Sequence, residues 1–86
     1  LVHGFGADRR TFTANQPALS AVADVWSLDL PGHGASPWTE GMAPSAAAFA
    51  DAIRRALDDA GVDRVDMVGH SLGGAVSGVF AARYPD

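Results

Sequence analysis

The stretch Val68-Gly69-His70-Ser71-Leu72-Gly73-Gly74-Ala75-Val76, VGHSLGGAV, sets one serine among three glycines directly after a short apolar run. Residues 65–68 predict a short strand and residues 72–84 a helix of small residues halted by Pro85. Gly69-x-Ser71-x-Gly73 therefore falls in the strand–turn–helix context of a nucleophile elbow, a sharp turn that presents a hydroxyl. The glycines then have a steric reason: a tight turn forces the serine backbone into a strained conformation, and bulk two positions to either side would collide with the turn. The helix beginning at Leu72 would aim its free N–H groups and the positive end of its dipole at an anion forming near Ser71. By itself such a cluster is weak, because glycine and serine together usually mark an ordinary turn.

Working outward, the chain has 86 residues, room for one small domain at most. It opens on Leu1-Val2 and turns at once through His3-Gly4-Phe5-Gly6, which predicts a piece of a longer protein, incomplete at both ends. Six basic against ten acidic residues give a net charge of −4, and the six are scattered arginines. No basic stripe exists to neutralise phosphates, so nucleic acid is not an expected partner. Cysteine is absent, which removes disulfides and thiolate metal sites. No apolar run reaches the ~18 residues of a membrane span.

Leu1-Val2 reads as the end of a strand entering a glycine turn. Residues 11–22 carry a helical pattern around Phe12, Ala18, Leu19 and Val22, with Pro17 marking a break or a second start. Residues 24–28 form a second β-rich run, which ends in the turn cluster Asp29-Leu30-Pro31-Gly32-His33-Gly34. Ser45 is the expected N-cap of a helix to residue 60, with Phe49, Ile53, Ala56, Leu57 and Ala60 at helical spacing and Gly61 as the stop. This alternation predicts an α/β fold with three parallel strands.

Three motifs now stand in order: LVHGFG at residues 1–6, DLPGHGAS at residues 29–36, and VGHSLGGAV at residues 68–76. Together they resemble the N-terminal part of the α/β-hydrolase fold superfamily, and the likeness covers essentially the whole chain. The resemblance implies a partial α/β-hydrolase fold, with three parallel strands alternating with helices in three α/β/α layers and the first strand lying between the second and third. It also implies a serine hydrolase that cleaves an ester, thioester, amide or related carbonyl of a small-molecule acyl substrate through an acyl-enzyme on Ser71, with no cofactor. The stretches GFGADRRTFTANQPAL and DVWSLDLPGHGAS further resemble the hydrolase-fold domain of acetoin dehydrogenase acyltransferase subunits. A third reading, from a different class, is a hydrolase-fold binding or receptor protein that keeps the pocket and has lost turnover.

By the same resemblance, the backbone N–H groups of Phe5 and Leu72 form an oxyanion hole. Gly69, His70 and Gly73 build the elbow, and His3, Gly4 and Gly6 build the oxyanion loop. His70, beside Ser71 in a tight turn, points its ring away from the hydroxyl. His3 and His33 hold loops through backbone hydrogen bonds, and Asp29 anchors its own turn. Trp38 and Met42 are loop residues near a cleft or core. No His or carboxylate spacing suggests a metal.

A serine hydroxyl needs a base, and the base needs an orienting acid. In this family both follow the nucleophile, yet residues 72–86 contain no histidine and only Asp86 as a carboxylate side chain. The 86-residue chain expressed alone is therefore expected to show no Ser71-dependent turnover; p-nitrophenyl ester hydrolysis that vanished in Ser71→Ala would contradict this.

Overall fold

A computed structural model describes residues 1–38, 41–42 and 44–85. In chain order it contains a 3-10 helix, Arg9–Phe12, followed by α1, Gln16–Ser20, α2, Ala46–Asp59, and α3, Leu72–Arg83. Asp86 lies outside the described residues.

Local chemistry accounts for both ends of α2. Ser45 is extended (φ −130°, ψ 155°) and its Oγ accepts the Ala48 N–H at 3.1 Å, a cap worth about 1 kcal/mol. At the other end Gly61 adopts φ +76°. Its N–H bonds the Asp58 carbonyl at 3.1 Å, and the Val62 N–H bonds the Leu57 carbonyl at 2.8 Å. These are the two bonds of a Schellman stop, which needs a left-handed residue. Between the ends, Phe49, Ala50, Ile53 and Leu57 form one buried stripe.

Before α2, the helical pattern over residues 11–22 resolves into two short pieces. Asp8 caps the 3-10 helix by accepting the Arg10 N–H. Pro17 lies in the first turn of α1, where a missing N–H has no intrahelical partner to lose.

α3 packs directly on α2. Val76 and Phe80 of α3 join the α2 stripe, Val2 and Leu30 in a single core. The segments that reach this core are extended. Val2 donates to the Val68 carbonyl at 2.8 Å and His70 donates to the Val2 carbonyl at 2.9 Å. On the other side, the Leu1 amine donates to the Trp26 carbonyl at 2.7 Å and Leu28 donates to the Leu1 carbonyl at 3.4 Å.

These contacts correct the fold class expected from the sequence. The described residues contain no β-strand; the one recognisable β feature is an isolated parallel bridge, Val2↔Gly69. A ladder requires successive bridges, and Val2↔Gly69 is followed by no second one among the described residues. The pairing with residues 26–28 includes one long bond, at the edge of hydrogen-bond geometry. The three-layer α/β/α arrangement is likewise not present. α2 and α3 share one core, α1 buries no residue, and Val22, Trp26 and Val68 stay 84%, 54% and 54% exposed. No helix among the described residues is long and apolar enough to cross a membrane.

A polar tie joins the two loops that leave these segments. Asp29 accepts the Arg9 N–H at 2.7 Å and the Ala35 N–H at 2.9 Å, and the Arg9 guanidinium stands 3.7 Å away. Ser36 Oγ donates to the Asp29 carbonyl at 2.7 Å. The N–H groups of Ala35 and Arg9 hold the Asp29 carboxyl below its ordinary 3.8, because hydrogen bonds to a carboxylate favour its charged form.

Two outcomes follow for the full-length protein. Leu30, fully buried, should cost about 2–5 kcal/mol when cut to alanine, read from denaturant unfolding. Asp29→Asn should lower the melting temperature at pH 7. A depressed carboxyl stabilises above its unfolded value and loses that contribution as pH falls through the folded one, so the gap between wild type and Asp29→Asn should close below about pH 4 in a melting series against pH.

Candidate active site

Among the described residues two serines stand at helix N-caps, and they behave in opposite ways. Ser45 turns its hydroxyl into its helix. Ser71, at the N-cap of α3, has φ 56° and ψ −116° and makes no side-chain capping bond. It is the one non-glycine residue with positive φ among the described residues, a conformation costing on the order of 1–3 kcal/mol. Ser71 is exposed, and among the described residues its Oγ has no hydrogen-bond partner. The backbone turn closes through Gly73 N–H to the His70 carbonyl and Gly74 N–H to the Ser71 carbonyl, both 2.9 Å.

The glycines flanking Ser71 are dictated by backbone crowding. A Cβ on Gly69 would land on the Gly73 carbonyl, and one on Gly73 would land on the Val2 carbonyl. Neither obstacle is a side chain that could swing aside. Gly73 is thus where α3 touches the first segment.

That contact carries the His3-Gly4-Phe5-Gly6 turn to Ser71. A Cβ on Gly4 would stand 3.3 Å from both the Ser71 Cβ and the His70 carbonyl oxygen, and 3.5 Å from His70 Nδ1. Gly6 has φ +76° and open space around it. Phe5 is 84% exposed. Among the described residues neither the Phe5 N–H nor the Leu72 N–H donates to a protein acceptor.

The three histidines occupy different settings. His3 is fully buried; Leu30 N–H donates to its Nε2 at 3.0 Å and its Nδ1 lies 2.8 Å from the Gly4 carbonyl oxygen. His33 Nδ1 lies 3.0 Å from the Pro31 carbonyl, with its ring 5.0 Å from His3 and 5.9 Å from Phe5. His70 is exposed beside Ser71.

A cleft of about 410 Å³ opens beside the turn, lined by Phe5, Asp8, His33, Trp38, Phe49 and neighbouring glycines. Its walls are aromatic: the rings of Trp38 and His33 each meet Phe49 edge-on. Met42 instead packs on the core. The acidic group at the mouth, Asp8, is held at about 2 by side-chain and backbone hydrogen bonds from Arg10, so its charge is already matched. Ser71 does not line this cleft, whereas Phe5, next to Gly4 in sequence, does. A larger hollow of about 540 Å³, between residues 63–67 and the end of α3, contains none of the site residues expected from sequence. Among the described residues no cluster of His, Cys, Asp or Glu could hold a metal.

Sequence reasoning missed two ties. The bond from Leu30 N–H to His3 spans 27 residues and that from Arg9 N–H to Asp29 spans 20. No spacing rule reaches partners that far apart; the only hint was that both residues sit in glycine turns.

Comparison with known proteins identifies the family of the chain. A pimeloyl-[acyl-carrier protein] methyl ester esterase of Neisseria meningitidis serogroup A is 42% identical over 86 residues, covering 100% of this chain and 26% of that protein. Dihydrolipoyllysine-residue acetyltransferase components of acetoin cleaving systems are also similar. The one from Cupriavidus necator is 38% identical over 86 residues, 99% of this chain and 22% of its own. The one from Pseudomonas putida is 40% identical over 77 residues, 90% and 20%. The chain thus spans about a quarter of the length of these relatives. No solved structure matches it. The family described as alpha/beta hydrolase fold matches residues 1–86 in full, and the chain belongs to that family.

Proposed function

We propose that Ser71 is the nucleophile of a serine hydrolase that attacks an ester, thioester or related carbonyl and carries the acyl group as a covalent intermediate. The observation that supports this most is the contrast between the two N-cap serines. Ser71 forgoes the capping bond that Ser45 makes and accepts a left-handed φ of 56°. Both choices cost stability, and what they achieve is an exposed hydroxyl with no competing partner. A family match over the whole chain and an esterase among its relatives point the same way.

In this reading the Ser71 oxygen adds to the carbonyl carbon while its proton passes to a base. The carbonyl oxygen becomes an oxyanion that accepts hydrogen bonds from the Phe5 and Leu72 N–H groups, and the dipole of α3 adds to their effect. Collapse of the tetrahedral species expels the alcohol or thiol, and water then releases the acid. His3 and His33 are engaged with backbone groups. His70 is set aside by the family order, in which acid and histidine both follow the nucleophile, and by that order the base and its orienting acid are assigned to parts of the full-length protein outside the described residues. The aromatic cleft beyond Phe5 suits an apolar part of the substrate.

A second reading has a specific support. Two relatives are named as dihydrolipoyllysine-residue acetyltransferase components, so the acyl group on Ser71 could pass to a thiol instead of water. The attack is the same in both.

In the full-length protein, Ser71→Ala should lower kcat for p-nitrophenyl acetate by about 10⁴-fold or more with the fold retained. Wild-type turnover in that variant would rule out the nucleophile. Added dihydrolipoamide separates the readings: hydrolysis leaves free acetate as the product, whereas acyl transfer diverts it to the thioester.

A further inference from the structure

His3 is the one buried polar residue among the described residues, at 0% exposure. Its two hydrogen bonds settle which ring nitrogen carries the proton. A backbone N–H only donates, so the Leu30 N–H at 3.0 Å requires a lone pair on Nε2. A carbonyl oxygen only accepts, so the Gly4 carbonyl at 2.8 Å requires a proton on Nδ1. An apolar side chain could fill the same space; what the imidazole adds is a donor on one side and an acceptor on the other.

The Gly4 carbonyl is half of a peptide unit whose other half is the Phe5 N–H. In a trans peptide the two groups point in opposite directions. The carbonyl oxygen is held twice, by His3 Nδ1–H and by the Ala7 N–H at 3.1 Å. Pinning it fixes the plane and therefore the direction of the N–H at the far end. Hydrogen bonds to the carbonyl also polarise the amide and strengthen its N–H as a donor. That N–H has no protein acceptor among the described residues, and Gly4 lies so near Ser71 that a Cβ on it would stand 3.3 Å from the Ser71 Cβ.

We propose that His3 is a positioning residue for the Phe5 N–H: its Nδ1–H clamps the Gly4 carbonyl and so aims and strengthens the donor that meets the substrate oxyanion. The inference rests on the reading of Ser71 as nucleophile. It separates the two bonds of one side chain by task. The Leu30 bond ties two loops together, and the Gly4 bond serves the transition state.

Two substitutions in the full-length protein divide those tasks. Asparagine places its amide NH2 near the position of Nδ1, and glutamine places its carbonyl oxygen near that of Nε2. His3→Gln keeps the Leu30 bond and loses the donor to Gly4; its kcat for p-nitrophenyl acetate should fall about 10- to 100-fold with KM within about twofold, since the lost interaction belongs to the transition state. His3→Asn keeps the donor and loses the Leu30 bond, so it should regain at least about tenfold of that kcat while melting below His3→Gln. If His3 were merely structural, kcat would follow the melting temperature and His3→Asn would be the poorer enzyme; that order overturns the inference and leaves Ser71 untouched. Activity in Ser71→Ala would overturn the nucleophile and the inference with it. Should either His3 variant fail to fold, nitrogen NMR of the wild type decides: the Nδ1–H tautomer, with the Phe5 amide proton shifting downfield on binding phenylboronic acid, is the expected result. An Nε2–H tautomer or an unmoved Phe5 amide overturns the proposal.

Discussion

The contact on which the rest of the structure depends is the backbone pairing of Val2 with the segment ahead of Ser71. Val2 donates to the Val68 carbonyl, accepts from the His70 N–H, and presses its own carbonyl against Gly73. Three events follow from that one approach. α3 is placed at the end of the first segment, the turn through Gly4 is carried to Ser71, and no side chain fits at position 69 or 73. The glycines around Ser71 are therefore requirements of closeness between two backbones, more than of flexibility in one.

Around this contact the molecule uses two polar ties of different kinds. His3 is buried, neutral in the tautomer its bonds require, and links the Gly4 peptide to Leu30. Asp29 is charged and links the Arg9 and Ala35 amides. Each ends the orphaned state of backbone groups in a glycine turn, where no helix or ladder would satisfy them. Each also joins the loop after the first segment to the loop after the second. The Phe5 N–H sits on a doubly held loop, while the Phe5 ring remains free to line the cleft.

The apolar architecture is one-sided. α2 and α3 cover a single core with Val2 and Leu30, whereas Val22, Trp26 and Val68 remain largely in solvent. In place of the expected three-layer arrangement, the described residues show this single core and one isolated bridge. Membership of the alpha/beta hydrolase fold family rests on the sequence over residues 1–86; the described residues themselves contain no strand.

What could be read from sequence alone was what neighbours in the chain decide. Ser45, the Phe49–Ile53–Leu57 spacing and Gly61 specified α2 through capping, periodicity and a left-handed stop, each acting within a few residues. The order of the three glycine turns identified the family, because a motif is a local pattern. Strand pairing was read wrongly, since a ladder depends on partners dozens of residues away, which no local pattern specifies. Only the tertiary structure decided that His3 reaches Leu30, that Asp29 reaches Arg9, and that Gly4 stands against Ser71. These are contacts between segments distant in the chain, and their partners are chosen by packing, which no local propensity encodes.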